Sequence, residues 1–210
     1  MENDILTKMK KRMQIVAAIS GVISVVFYFL HDFIGAMHYP GYNWMSQACS
    51  DLTASDAVSY VVANSYCSIH KVFNVLCCVL ICILALNVRK SLKVGLYLFT
   101  VMHLVSTIGY SLFPLSSSGY DGSVQSFMHV YVVTVLVVIL SIAALIVIAV
   151  GSFKDKRKVF GILALVALLF MFLGPVLMGS MPLQYFGIFE RFSTYSAVIF
   201  TGVIGFQKFE

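Results

Sequence analysis

The feature that most constrains this chain is a pair of long apolar runs that contain no charged residue. One extends from Val130 to Val150 and the other from Val159 to Gly179. A helix needs about 20 mostly apolar residues to cross the hydrocarbon core of a bilayer, and each run is long enough. Because an unpaired backbone N–H or C=O is costly in lipid, such runs fold as helices. We therefore expect an integral membrane protein.

The composition of the whole chain agrees with this expectation. Hydrophobic residues make up 60% of the 210 residues and charged residues 11%, whereas roughly a quarter of an ordinary soluble domain is charged. These values exclude a soluble globular protein, a disordered chain and a nucleic-acid-binding module. The hydropathy pattern predicts a single all-α domain over residues 1–210, a polytopic bundle of six transmembrane helices with short connections. The predicted spans are roughly residues 13–36, 62–86, 94–114, 127–151, 159–179 and 187–206.

The basic residues predict how the bundle is oriented. Twelve of the fourteen Lys and Arg residues precede the first span, follow the last, or lie in the loops after spans two and four. Because basic residues accumulate in cytoplasmic loops, we expect a multi-pass protein of the cell membrane with both termini in the cytoplasm. The twelve are Lys8, Lys10, Lys11, Arg12, Arg89, Lys90, Lys93, Lys154, Lys156, Arg157, Lys158 and Lys208.

The remaining ionisable residues fall mostly in the outer half of the predicted bundle. At 1.5 Å of helix per residue, Lys71 and Arg191 lie about 26 to 27 Å from the basic residues at the inner ends of their helices. His103 lies about 15 Å from Lys93, near the bilayer centre. Ionisable groups within spans usually face the bundle interior or a water-filled cavity. We therefore expect a polar cavity that opens to the outside.

The first outer loop, residues 37–61, is the longest and most polar outer segment. Pro40 and Gly41 predict a turn, and Asn43 is placed to cap a short helix over residues 44–49 that would cover the cavity. Cys49 and Cys67 both lie on the outer side. In an oxidising compartment they could form a disulfide, and two free thiols are an equal alternative.

Three motifs in a fixed order resemble a known family. They are PGYNWMSQACSDLTA over residues 40–54, Phe-Pro at 113–114 followed by His129, and FERFS over residues 189–193. The order is similar to that of the bacterial and archaeal membrane family called domain of unknown function 998. The resemblance covers nearly the whole chain and implies family positions at Ser50 with Asp51, at His129, and at Glu190 with Arg191. Thr53 stands where that family usually has Gly.

One hypothesis for the function is a lipid hydrolase or transferase that acts in the outer leaflet. His129 or His70 would be the general base, since histidine titrates near neutral pH. Asp51 would orient that base and Arg191 would bind a phosphate or carboxylate head group. A zinc-dependent version would use His70, His129 and Asp51 as three ligands, with water as the fourth. The candidate catalytic residues are Asp51, His70, His129 and Glu190, and the candidate substrate-binding residues are Ser50, Lys71, His103, Tyr110 and Arg191.

Three alternatives stay open at this point. The same cavity could bind or transport a lipid or small amphiphile without chemistry, in which case His103 at the bilayer centre would matter most. Two histidines on facing helices could hold a haem, although their depths match poorly. Finally, the outer charges could only tie loops to the bundle. Because Glu190 and Arg191 are neighbours on one helix, their side chains diverge by about 100°, and each is expected to find a partner elsewhere, such as Asp51 or His70.

Overall fold

The computed structural model describes residues 2–209 as an all-helical fold, and this part of the chain contains no strand. Each of the six predicted spans coincides with a helical segment, and the last long helix, α7, covers the sixth predicted span. The segments are α1 (Glu2–Met37), α2 (Tyr60–Leu84), α3 (Lys90–Leu112), α4 (Val124–Phe127), a π-helix (Met128–Val133), α5 (Thr134–Lys154), α6 (Lys158–Ser180) and α7 (Phe186–Gly205).

Five helical stretches of the described chain are long and apolar enough to cross a membrane. The fourth of them is continuous through α4, the π-helix and α5. Helix α7 is not among the five, because its sequence FGIFERFSTYSAVIFTGVIG carries several polar and charged residues. The five stretches are Asp4–Met37, Tyr60–Leu84, Lys90–Leu112, Val124–Lys154 and Lys158–Ser180.

The long helices form a closed ring in chain order. Each packs against the helix that follows it, and α7 completes the ring by packing against α1. Short connections favour this arrangement, because they leave neighbouring helices antiparallel. The closest approach is between α3 and α5. A Cβ on Gly95 would lie 2.7 Å from the backbone nitrogen of Ile148, and one on Gly151 would lie 2.5 Å from that of Leu92. Small residues at such contacts let two membrane helices pack backbone to backbone.

The inner half of the ring is filled by apolar side chains. Phe99 of α3, Phe160 of α6 and Phe200 of α7 are almost fully buried there and lie against one another. The two rings of Phe160 and Phe200 are stacked with centroids 5.7 Å apart. Buried ionisable groups such as Asp32, Asp51 and Arg191 lie instead toward the end of the ring that carries the longest loop, whereas buried His103 lies beside Phe99 and Thr201.

Helix α6 contains Pro175, which has no backbone N–H to donate to the carbonyl of Met171. A hydroxyl from the next helix supplies the missing bond, since Ser193 of α7 donates to the Met171 oxygen at 3.3 Å. Gly174 makes room for this approach, because a Cβ there would come within 2.0 Å of the Ser193 Oγ. Helices α6 and α7 are thus joined by a hydrogen bond at the point where Pro175 interrupts the backbone hydrogen bonds of α6.

The first outer loop folds differently from its prediction. Residues 44–46 form a turn, in which Asn43 Oδ1 accepts a hydrogen bond from the Met45 nitrogen at 3.0 Å. The short helix comes later, as the 3-10 helix Cys49–Thr53. The prediction of a short helix in this loop is correct, but its position over residues 44–49 is wrong. The loop satisfies its backbone by turns and by contacts to other elements instead of by one helix from Trp44.

Candidate functional site

The strongest polar contact in the protein joins its first and last long helices. Arg191 of α7 and Asp32 of α1 are 6% and 3% exposed. The Arg191 Nη2 donates to Asp32 Oδ1 at 2.7 Å and the Nε donates to Oδ2 at 2.8 Å. The hydroxyl of Tyr195 also donates to Asp32 Oδ2. A two-point pair of this kind is the geometry in which arginine binds a carboxylate best.

The rest of the Arg191 guanidinium holds the first outer loop. Its Nη1 donates to the carbonyl oxygens of Trp44, Gln47 and Gly187 at 2.8, 3.0 and 2.9 Å. Its Nη2 also donates to the Tyr42 hydroxyl at 2.8 Å. All five N–H groups of the guanidinium therefore have acceptors within the protein. The predicted contact of Arg191 with a substrate head group would have to displace one of these bonds.

Gly187, one turn before Arg191, permits this contact between loop and helix. A Cβ on Gly187 would lie 2.2 Å from the Gln47 carbonyl oxygen and 2.5 Å from that of Trp44. The backbone of the loop also bonds directly to the helix, since the Ile188 nitrogen donates to the Met45 oxygen at 3.3 Å. The loop is thus fixed against α7 by backbone contact as well as by the arginine.

Asp51 joins two outer loops to each other. Its Oδ2 accepts from the Ala48 nitrogen at 3.1 Å, and its Oδ1 accepts from the Gly119 nitrogen at 2.9 Å. Gly119 belongs to the loop between α3 and α4, which also pairs with the first loop through the Ser55 nitrogen and the Leu115 oxygen at 2.8 Å. Neither bond of the Asp51 carboxylate goes to a histidine, whereas the sequence hypothesis had Asp51 orient the general base.

His129 lies on the π-helix at the outer end of the fourth apolar stretch. Its Nδ1 is 2.7 Å from the Phe113 carbonyl oxygen, which makes Nδ1 the protonated nitrogen. Its ring packs on Tyr110 with centroids 4.6 Å apart, and the Tyr110 hydroxyl bonds to Thr134 at 3.0 Å. Among the described residues, Nε2 has no hydrogen-bond partner. Short π-helical segments inside α-helices often occur at functional sites.

Lys71 lies near the middle of α2, and its side chain reaches Ser111 in the last turn of α3. Its Nζ donates to the Ser111 hydroxyl at 3.1 Å, and its side chain is half-buried. No carboxylate of the described chain forms a salt bridge with it. Lys71 is within electrostatic range of His31, His70 and His129. It is therefore a cation whose charge is not neutralised by a salt bridge among the described residues.

His70 and His31 face each other across a tyrosine in the ring interior. The Tyr28 ring centroid is 4.8 Å from that of His70 and 5.3 Å from that of His31. His70 Nδ1 bonds to the Ser24 carbonyl oxygen at 2.9 Å. His31 is 2% exposed, and neither of its ring nitrogens has a hydrogen-bond partner among the residues that the structure describes. Buried polar atoms without protein partners commonly bind an internal water.

His103 is held deeper in the ring by side chains from two other helices. Its Nδ1 is 2.7 Å from Asn74 Nδ2 on α2, and its Nε2 is 3.0 Å from Thr201 Oγ1 on α7. The three residues link α2, α3 and α7 across the ring. Because both ring nitrogens of His103 are occupied, a ligand at this depth would have to replace one of these bonds.

Glu190 points to the first outer loop, whereas the neighbouring Arg191 pairs with Asp32. Its Oε2 accepts from the Cys49 nitrogen at 3.3 Å. Burial, together with the nearby carboxylates of Glu190 and Asp32, raises the pKa of the Cys49 thiol well above its usual value. Ser50 next to it is half-buried, and its carbonyl oxygen accepts from the Thr53 hydroxyl at 3.1 Å. Cys49 and Cys67 are both free thiols.

The predicted zinc ligands are engaged separately. His70 bonds to α1, His129 bonds to Phe113 and Asp51 bonds to two loop nitrogens. Residues 2–209 contain no group of three or more His, Cys, Asp or Glu side chains placed to hold a metal ion. The three zinc ligands predicted from the sequence are therefore not brought together.

Sequence reasoning missed the partners that organise this end of the bundle, namely Asp32, Tyr42, Tyr195, Asn74 and Thr201. A signal for Asp32 exists in the sequence. It follows His31 near the outer end of the first span, at the depth that helix rise also gives to Arg191. An acid and a base at one depth in different spans are expected to pair.

Comparison with known proteins agrees with the motif order. The model of the family described as Protein of unknown function (DUF998) matches residues 22–207. The chain belongs to this family. The match includes every candidate site residue described above, from Tyr28 to Thr201. No curated protein and no solved structure matched the chain. Its function must therefore be argued from its own residues.

Proposed function

We propose that this member of the DUF998 family is a six-span membrane protein with both termini in the cytoplasm, and that it binds the anionic head group of an outer-leaflet amphiphile. Lys71 and His129 would contact the anion. The proposal has two parts, a topology and a binding site, and each has its own support and its own test.

Helix α7 is proposed as the sixth span because of its length and its burial pattern. Its 20 residues give about 30 Å of helix, the thickness of the hydrocarbon core. Its charged residue Arg191 is buried in the protein, whereas Ile199 is exposed on its outer surface. A polar helix with its charges inward and apolar residues outward suits lipid. Since α7 also packs against α1 and α6, six crossings leave the two termini on one side.

The topology can be tested with fusions at the two termini. A fluorescent protein that matures only in the cytoplasm should be bright at either end, and periplasmic alkaline phosphatase should be inactive at either end. The same reporters inserted after Gly119, in the loop between α3 and α4, should give the opposite result. Opposite signals from the two termini would overturn the sixth span.

The binding proposal rests mainly on the surroundings of Lys71. Lys71 is a half-exposed cation near the middle of α2, without a salt bridge among the described residues, and it donates only to the Ser111 hydroxyl in the last turn of α3. Its long side chain can therefore extend toward the end of the bundle where the proposed head group lies. Arg191, the other outer cation, is occupied fully by Asp32 and the first loop. An ammonium without a partner in this position attracts a phosphate or carboxylate.

His129 and Tyr110 supply the neighbouring polar groups. The carbonyl of Phe113 occupies Nδ1 of His129. The other ring nitrogen, Nε2, has no hydrogen-bond partner among the described residues and can bond to a ligand. Tyr110 packs on that imidazole and lies within electrostatic range of Glu190. Glu190 therefore borders the same region and would suit a hydroxyl or ammonium group of the same head group. Ser50 and His70 remain candidate contacts for other parts of the same head group.

The amphiphile is proposed to reach Lys71 sideways from the bilayer. Helices α2 and α3 share a smaller contact than α1 and α2 or α3 and α5 do, and the Lys71 side chain bridges from the middle of α2 to Ser111 in the last turn of α3. The two outer loops cover the end of the ring above this seam and are bonded to each other by Asp51. A lateral route keeps the acyl chain in lipid while the head group enters.

The test measures binding of dihexanoyl phosphatidylglycerol to detergent-purified protein. Lys71→Gln and His129→Gln should each weaken binding by about tenfold, which corresponds to about 1.4 kcal/mol. Lys93→Gln is the matched control, because Lys93 is also half-buried with one hydrogen bond, to the Leu86 oxygen at 3.0 Å, at the other end of the bundle. Equal loss in all three variants, or no loss at Lys71, would overturn the site. Release of head group or fatty acid during the assay would add catalysis to binding.

A further inference from the structure

A continuous apolar groove runs along the outside of the ring between α1 and α7. It consists of two adjoining hollows of about 200 and 300 Å³ that share Val22 and Phe206. Their walls are almost entirely apolar. The lining includes Ala18, Ile19 and Val26 of α1 and Ile199, Gly202 and Val203 of α7.

The groove exists because the two helices approach each other closely at small residues. A Cβ on Gly21 would lie 3.2 Å from the Thr201 carbonyl oxygen, and one on Gly202 would lie 3.0 Å from a methyl group of Val25. Because these glycines have no side chains, they leave a furrow on the surface between their larger neighbours. Gln14 fixes its lower end by donating to the Gly205 oxygen at 2.8 Å.

A basic segment continues the same helix directly beyond the groove. Lys10, Lys11 and Arg12 are exposed, and none of them forms a salt bridge within the described chain. Lys8, by contrast, is paired with Asp4 at 2.7 Å. Spacings of three and four residues place Arg12, Ile15, Ile19, Val22 and Val26 on one face of α1, so the cation and the groove face the same way.

The distances match the two parts of a phospholipid. From Arg12 to Val22 is ten residues, or about 15 Å of helix, which is half of a hydrocarbon core about 30 Å thick. An acyl chain lying beside Ile19 and Val22 would therefore carry its phosphate near Arg12. Basic residues at a membrane surface each attract an anionic lipid by about 1 kcal/mol.

We propose that the α1–α7 groove and residues Lys10, Lys11 and Arg12 together form a binding site for an anionic phospholipid of the leaflet next to the amino terminus. One acyl chain lies in the groove, and Arg12 on the same face binds the phosphate, while Lys10 and Lys11 point elsewhere around the helix and add to the local positive potential. The site lies between α1 and α7, whereas Lys71 lies between α2 and α3, and it does not depend on the proposed outer site. It would anchor α7, which is not among the five stretches apolar enough to cross a membrane, to α1.

The experiment titrates full-length protein in detergent with dioleoyl phosphatidylglycerol and follows bound lipid by native mass spectrometry. The variant K10A/K11A/R12A should lower the affinity for the first bound phosphatidylglycerol by about tenfold. Dioleoyl phosphatidylcholine, which has no net charge, should bind both proteins weakly and equally. The control R89A/K90A/K93A removes the same number of cations from another loop on the same side and should leave the first binding event unchanged.

A second variant tests the groove separately from the charges. Val22 is 42% exposed, so V22F can fill the groove without disturbing the ring, and it should also weaken the first binding event. I162F adds the same ring to α6, where Ile162 is 53% exposed and borders neither hollow, and should have no effect. Equal losses in both triple variants would mean general adsorption to basic residues. Unchanged binding in V22F would overturn the groove as the seat of the acyl chain.

Discussion

Asp32 and Arg191 lie 159 positions apart in the chain and form a two-point ion pair with distances of 2.7 and 2.8 Å. The pair closes the helix ring between its first and last members. It also fixes the first outer loop, because the same guanidinium donates to carbonyl oxygens of that loop. The charge that first suggested a ligand contact thus has a structural role in joining three parts of the protein.

Asp32→Asn is expected to destabilise the folded protein by about 3–5 kcal/mol, because it leaves the buried Arg191 charge without its counter-ion. Chemical unfolding in detergent would measure the change. Asp155→Asn is the matched control, since Asp155 pairs with Arg157 at 2.9 Å while about a quarter of each side chain is exposed. That change should cost about 1 kcal/mol or less. Similar losses in the two variants would contradict the structural role of Asp32.

Gly187→Ala is expected to detach the first outer loop from α7. The added Cβ would lie 2.2 Å from the Gln47 oxygen, and this oxygen belongs to the backbone and cannot rotate away. Hydrogen exchange at residues 44–49 should therefore become faster. Gly179→Ala provides the comparison, because a Cβ there meets nothing within 4 Å, and exchange in the loop should remain as in the parent protein. Unchanged exchange in Gly187→Ala would show that the loop is not held at this contact.

Ser193 is expected to matter only because Pro175 interrupts α6. Ser193→Ala removes the hydrogen bond to the Met171 oxygen and should cost about 1 kcal/mol in unfolding free energy. In a Pro175→Ala background, residue 175 has its own N–H for that oxygen, so Ser193→Ala should cost clearly less. A double-mutant cycle measures this difference directly. If the cost is the same in both backgrounds, the hydroxyl does not replace the lost helix bond.

The sequence predicted the helices well and their polar contacts poorly, for physical reasons. Apolar runs such as Val130–Val150 must be helical in lipid, so their positions follow from composition alone. The partner of Arg191 cannot be predicted in this way. Helix rise gives only the depth of Arg191 and leaves Asp32, Asp51 and His70 as alternative partners. The direction in which a side chain points around its helix depends on how the helices pack, and that packing is known only from the whole fold.

The loops and the π-helix were beyond sequence reasoning for a different reason. Asp51 bonds to the Gly119 nitrogen, 68 positions away, and no local pattern encodes that contact. Met128–Val133 contains neither Gly nor Pro and reads as ordinary helix. Its wider turn coincides with the local bond of Thr134 to the His129 oxygen and with the bond of His129 to Phe113, and the second of these depends on how the folded bundle packs.

Cys49 is expected to react slowly with maleimide at pH 7 to 8 in the folded protein. The thiolate is the reactive form, and burial together with the carboxylates of Glu190 and Asp32 raises the pKa of this thiol, so little thiolate is present at that pH. Mass spectrometry of labelled peptides would measure the rate. Ser118→Cys, at an exposed position of the facing loop, should react at least tenfold faster.

The same labelling decides between the two cysteine states that the sequence left open. Because Cys49 and Cys67 are free thiols, unfolding without reductant should expose all five cysteines of the chain to the reagent. Glu190→Gln should leave Cys49 slow, since burial is the main cause of its raised pKa. Rapid labelling of Cys49 in the folded protein would instead mean that the loop opens often enough to expose residues 47–51 to water.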